Sequence, residues 1–147
     1  MLTAPVPIRL LDPQAQLPAY GSPDAAGADL YALTAGPVSI APGQTALIRT
    51  GLALAIPQGF VGLVCARSGL ASKQGLAPAN KVGVIDADYR GELMVALLNH
   101  SGETRTIACG DRIAQLVIVP CLAAQFIPSE ELDGTRRGSG GFGSTGK

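Results

Sequence analysis

Short stretches rich in β-branched residues, separated by Gly- and Pro-bearing connections, run through the whole body of this chain. They are Val6 to Leu11, Val38 to Ile40, Thr45 to Thr50, Leu52 to Ile56, Phe60 to Cys65, Leu93 to Asn99, Thr104 to Ala108 and Ile113 to Val119. β-Branched residues favour a pleated, half-buried surface. Many short strands cut by turn residues predict an all-β antiparallel sandwich or barrel, not alternating βαβ units. Pro42-Gly43, Pro57-Gln58-Gly59 and Ser101-Gly102 each stand between two such stretches and read as hairpin turns. One short helix fits, near Ser68 to Lys73, with Ser68 as its cap. Ser72 to Ala79 reads as a connector.

A length of 147 residues suits one compact domain. The core must be aliphatic, because the chain holds three Phe, three Tyr and no Trp. A formal net charge of zero argues against a nucleic-acid surface and an electrostatic membrane anchor. An anionic ligand must then be met by locally placed arginines or a metal. No apolar run approaches the roughly 20 residues of a spanning helix, and Met1 to Leu11 does not read as a signal, so a soluble, cytoplasmic protein is expected. Cys65, Cys109 and Cys121 are odd in number and far apart, which predicts buried reduced thiols, not disulfides or a CxxC metal pair. His100 is the only histidine, which excludes a His triad or multi-His metal site and reads as a surface loop residue.

From about Pro128 the composition shifts through Glu130, Glu131 and Arg136-Arg137 to a Gly/Ser-rich end. Such a segment buries too little apolar area to order itself. The chain therefore divides into a β domain, 1–127, and a flexible arm, 128–147, which is either a dispensable end or a segment that orders on a ligand.

Five segments carry groups suited to chemistry. In the tail, Arg137 to Gly146 combines a bidentate phosphate donor, close-approach glycines, hydroxyls, and Phe142 as a lone aromatic on which a base could stack. Arg67-Ser68-Gly69 places a guanidinium, a hydroxyl and a glycine amide at a strand exit, which fits an anion site or an ordinary helix cap. Asp86 and Asp88 flank Ala87 at the spacing that in a strand shares one face. They fit a metal pair, a base beside a carboxylate salt-bridged to Arg90 or Arg112, or a surface turn with incidental acids. Asp86 follows the apolar Val82 to Ile85, which predicts partial desolvation. Ala26 to Leu30 and Gly110 to Leu116 each read as a turn entering a strand.

In this order and spacing, the five segments resemble the five motifs of the homotrimeric dUTP pyrophosphatases (dUTPases), covering the chain from Ala26 to Gly146. The resemblance implies a jelly-roll-like β fold in a threefold trimer, with active sites shared between subunits and the arm closing over a neighbour's site. It implies hydrolysis of dUTP to dUMP and pyrophosphate, keeping uracil out of DNA and supplying dUMP for thymidylate synthesis. Asp86 would activate the water that attacks the α-phosphorus, and Tyr89 would pack on the deoxyribose where a 2′-hydroxyl would clash. Asn80, with backbone around Val84 and Ile85, would read uracil, and Met94 would lie near the sugar and base. Arg67, Ser68, Gly69 and Gln115 would hold the phosphates, and Asp29 would hold waters on a phosphate-chelated Mg²⁺. Arg137, Phe142, Ser144 and Thr145 would form the lid. The chain departs from the family at Ala66, where a proline is usual, which removes a φ restraint but no ligand group.

Two rivals remain. A dCTP deaminase shares the fold but calls for a glutamate after the third motif, and Leu93 to Leu98 has none. A non-catalytic jelly-roll module would lack the base or the lid, whereas Asp86, Tyr89 and Phe142 are present.

Overall fold

The computed structural model describes residues 3–141. Its strands are β1 (Ile8–Leu10), β2 (Ala19–Tyr20), β3 (Ala28–Tyr31), β4 (Val38–Ile40), β5 (Thr45–Arg49), β6 (Leu52–Leu54) and β7 (Phe60–Cys65). One helix, α1 (Ser68–Gln74), precedes β8 (Leu76–Pro78), β9 (Gly83–Ile85), β10 (Met94–Asn99), β11 (Arg105–Ile107) and β12 (Arg112–Pro120). A five-stranded sheet ordered β2-β3-β12-β7-β9 faces a three-stranded sheet, β5-β10-β8, with the pairs β1-β6 and β11-β4 completing the shell. Every ladder is antiparallel.

Alternation along the strands builds the core. In β10, Val95, Leu97 and Asn99 are buried while Met94 is exposed and Ala96 and Leu98 are half-buried, the period of two expected of a strand with one inward face. Leu30, Ile48, Val64, Leu116 and Ile113 join Val95 and Leu97 in one aliphatic cluster. The result is a jelly-roll-like β-sandwich with one short helix.

The three expected turns exist, but none closes a hairpin. Pro42-Gly43 joins β4 to β5, whose partners are β11 and β10. Pro57 to Gly59 joins β6 to β7, and Ser101-Gly102 joins β10 to β11, and in each case the two strands belong to different sheets. Among the described residues only β2 and β3 are both consecutive and paired. Each turn hands the chain to another sheet because the inward faces of both strands must reach one shared core.

Other differences are local. Ser68 is the first helical residue of α1 and makes no cap; Arg67 occupies the cap position without a side-chain bond. The connector 72–79 contains β8, which Leu97, Leu98 and Asn99 of β10 recruit by pairing. Cys109 and Cys121 are exposed and Cys65 is half-buried, all three unpaired. The apolar stretches around the first two end before them, Cys109 in the turn before β12 and Cys121 just past its end. His100 is exposed at the end of β10, as expected.

Candidate active site

Strand β9 forms an edge of the five-stranded sheet, and the start of β10 lies in the facing sheet. Between them opens a cleft of about 260 Å³ lined by Val84, Ile85, Asp86, Tyr89, Glu92 and Met94, together with Leu47 and Leu93. A smaller recess of about 90 Å³ shares Val84, Ile85 and Met94 and continues to Asn80, Gly83 and Val64. Its walls are aliphatic, with Val84 and Met94 61% and 40% exposed, so they can take up an apolar ring or sugar face. An amide at one end and a carboxylate at the other supply the directional groups. This is the chemistry of a small pocket that orients its ligand with few polar contacts.

A second group gathers where β3, β12 and the exit of β7 lie side by side. Gln115 is paired with both Asp29 and Cys65. Asp29 is 8% exposed, and its carboxylate is held from two sides. Arg67 Nε donates to Oδ1 at 2.7 Å and Arg112 Nη1 to Oδ2 at 3.2 Å. Gln115 Nε2 donates to the Ala66 carbonyl at 3.0 Å, tying the strand exit that carries Arg67. Ser68 and Gly69 follow, both exposed. The donor density suits a polyanion.

The two groups stand apart within one chain. Ile85 pairs with Gly62 and Gly83 with Val64, which sets Asp86 level with Val61, whereas Gln115 and Asp29 are level with Cys65. Four residues along β7 correspond to about 13 Å, and Arg67 lies beyond that row. Of the expected site residues, Asn80, Val84, Ile85, Asp86, Tyr89 and Met94 meet in the cleft, and Asp29, Arg67 and Gln115 meet in the second group, with Ser68 and Gly69 beside it. Arg137 is exposed and, among the described residues, its side chain donates only to the Gly140 carbonyl, at 2.8 Å. Phe142, Ser144 and Thr145 lie outside the described residues.

Three local expectations are corrected. β9 ends at Ile85, and Asp86 opens a turn closed by Tyr89 N–H donating to the Asp86 carbonyl at 3.2 Å, so Asp86 and Asp88 do not share a strand face. Asp86 is exposed in the single chain, not partly desolvated. Asp88 has no arginine partner among the described residues: Arg90 donates to the carbonyls of Ala87 and Tyr89, and Arg112 reaches Asp29. One participant was not singled out from sequence, and another was given the wrong partner. Glu92 lines the cleft, and its place inside the Gly83 to Glu92 segment was the available signal. Arg112 sits in the Gly110 to Leu116 segment, but its partner is 83 residues away.

Comparison with known proteins identifies the family. The dUTPase family profile matches residues 13–146. The chain is 51% identical over 146 residues to the deoxyuridine 5'-triphosphate nucleotidohydrolase of Syntrophotalea carbinolica, covering 99% of each. It is 53% identical over 136 residues to that of Desulfitobacterium hafniense, covering 92% of this chain and 90% of the other. Among solved structures, a variant dUTPase of Staphylococcus bacteriophage 80alpha with dUpNHpp superposes with a TM-score of 0.85 at 31% identity, over 99% of this chain and 100% of that one. A variant dUTPase from phage phi11 of S. aureus, described with a structural Mg(II) ion, gives 0.77 at 32% identity, over 87% of this chain and 98% of that one. With the profile spanning most of the chain and relatives at about half identity over nine-tenths or more of their length, the chain belongs to the dUTPase family.

Proposed function

We propose how this chain carries out the hydrolysis of dUTP to dUMP and pyrophosphate: Asp86 takes the proton from a water attacking the α-phosphorus in line with the leaving pyrophosphate. The observation that carries this is the position of Asp86 at the mouth of the cleft, beside Tyr89 and the aliphatic walls of Val84, Ile85 and Met94. A nucleoside seated there, with Asn80 and the backbone at Val84 and Ile85 reading the uracil edge, brings its α-phosphate to the carboxylate. Tyr89 packs on the deoxyribose. Hydrolysis at phosphorus needs a positioned water, a base and compensation of charge on the leaving group, and no covalent nucleophile.

The phosphate chain needs the second group. Arg67, Ser68, Gly69 and Gln115 hold it, with the Asp29 carboxylate fixing the guanidinium of Arg67. Along one chain these residues are about 13 Å or more from Asp86, and copies that each lend one of the two groups to a shared site bring both to one nucleotide. This supports a homotrimer with shared sites. Arg137, Phe142, Ser144 and Thr145, in the arm 128–147 of a further copy, close over the nucleotide and exclude water.

No three His, Cys, Asp or Glu side chains gather at one point among the described residues, so the donor set fits a cation held mainly by phosphate oxygens and water. Asp29 would bind such a Mg²⁺ through water, since each of its oxygens keeps a lone pair beyond its arginine bond. When bound, the ion would neutralise phosphate charge. No helix described is long and apolar enough to cross a membrane; a cytoplasmic setting, without nucleic acid or membrane as partner, fits a nucleotide substrate.

Replacing Asp86→Asn tests the assignment. Turnover of dUTP is expected to fall by about 10²-fold or more, while calorimetric affinity for a non-hydrolysable dUTP analogue is retained. Unchanged turnover rejects Asp86 as the base.

A further inference from the structure

The connection from β9 to β10 carries both Asp86 and Tyr89, yet residues 86–93 contain neither strand nor helix. A staple to the turn between β5 and β6 holds it instead. Both oxygens of the Glu92 carboxylate accept from Arg49 Nε at 3.1 Å, and one also accepts the backbone N–H of Gly51 at 2.9 Å. One residue on, Leu93 N–H donates to the Leu52 carbonyl at 2.7 Å, and the buried Thr50 hydroxyl donates to the Leu93 carbonyl at 2.5 Å. The turn itself admits only glycine at position 51. Gly51 sits at φ 72°, and a Cβ there would fall 2.6 Å from Leu33 Cδ2 and 2.7 Å from Ala15 Cβ. Arg49 is half exposed, so its ion pair alone contributes little. The Gly51 N–H gives the carboxylate a fixed register.

Tyr89 is seated on this anchored segment. Its hydroxyl donates to the Glu92 carbonyl at 3.0 Å. Its ring lies across Gly91, where an added Cβ would come 2.6 Å from Cζ and 2.9 Å from Cε2. The ring reaches its place only because position 91 has no side chain and position 92 is held.

A ribose hydroxyl is a small addition, and a steric wall rejects it only where the wall cannot retreat. A ring on an irregular connection would retreat unless something stiffened it. Resting on the reading of Tyr89 as the sugar-facing ring, we infer that Gly91 and Glu92 are positioning residues that fix the depth of that ring, and so set the discrimination of deoxyribose from ribose.

The test is kcat/KM for dUTP and UTP in the full-length, assembled enzyme for Gly91→Ala, Glu92→Ala, Glu92→Gln and Tyr89→Ala. Gly91→Ala and Glu92→Ala are expected to lower the dUTP:UTP ratio by about tenfold. Glu92→Gln, which can still accept the Gly51 N–H, is expected to keep most of it. Equal losses on both substrates, leaving the ratio unchanged in Gly91→Ala and Glu92→Ala, mean a merely structural role and overturn the inference. If Glu92→Ala does not fold, Gly91→Ala decides alone. Tyr89→Ala separates the two levels. If it collapses the ratio while the other variants leave it intact, the positioning role is rejected and the sugar-facing ring stands. If it too leaves the ratio unchanged, the reading of Tyr89 fails and takes the inference with it.

Discussion

Arg67 Nε and Asp29 Oδ1 are 2.7 Å apart, and both side chains are largely withdrawn from water, at 24% and 12% exposure. A carboxylate so placed fixes the direction of a guanidinium before any ligand arrives. Asp29→Asn keeps the volume but offers one accepting oxygen, and its amide N–H₂ faces an arginine. The expected result is a roughly 10–100-fold loss of kcat/KM for dUTP, the range typical of disturbing a supporting group. Arg112→Gln should cost less, because Arg112 is half exposed and its contact to Asp29 is longer, at 3.2 Å. Steady-state kinetics on the two variants checks the order, and a larger loss in Arg112→Gln would contradict it.

Separation of Asp86 from Arg67 makes a sharper prediction about assembly. Chains carrying Asp86→Asn and chains carrying Arg67→Ala are each expected to be nearly inactive alone. Co-expressed and randomly mixed, they should regain about one quarter of wild-type activity, since half the sites take Asp86 from an intact source and half of those also take Arg67 from one. If one chain supplied both groups, mixing would restore nothing.

How far the sequence was legible depended on whether a feature is local. β4, β7 and the inward face of β10 could be read because Val38 to Ile40, Phe60 to Cys65 and Leu93 to Asn99 carry their own pattern of β-branched and apolar residues. β2 and β8, of two and three residues, have no such pattern and exist by pairing with β3 and β10. Turn positions were legible and turn partners were not: the N–H of Gly43 bonds to the Asn99 carbonyl, and nothing near Gly43 announces that. The site divides the same way. Asp86 and Tyr89 stand in one recognisable segment, but the Arg112 to Asp29 contact and the Glu92 to Gly51 bond span 83 and 41 residues. Only the fold brings these together.

Asn99 ties one distant strand and the turn after β10 to a single buried amide. Fully buried at the end of β10, its Nδ2 donates to the carbonyls of Ile40 and Glu103, both at 2.8 Å. Its Oδ1 accepts from Ser101 N–H at 2.9 Å and Ser101 Oγ at 2.7 Å. Asn99→Ala strands these partners and opens a small cavity, an expected loss of about 2–4 kcal/mol. Urea denaturation at one fixed protein concentration measures it, because the stability of an oligomer depends on concentration. A loss below about 1 kcal/mol would mean that water replaces the amide at little cost.

Removal of residues 137–147 separates catalysis from assembly. The deletion begins after Leu122, Phe126, Ile127 and Leu132, which are 75–96% exposed in the single chain and are the apolar residues beyond β12 that need another surface to cover them. With those kept, the truncated chain should sediment as the same oligomer as the full chain. Phe142 and the hydroxyls of Ser144 and Thr145 would be gone, together with Arg137, so the nucleotide would stay open to water. Closing groups of this kind act by excluding solvent and completing the phosphate contacts. The expected loss in kcat/KM is about 10²-fold, taking the removed donors as comparable to one charge-stabilising group. Full activity in the truncated enzyme would exclude the arm from catalysis, and dissociation in ultracentrifugation would assign its last residues to assembly instead.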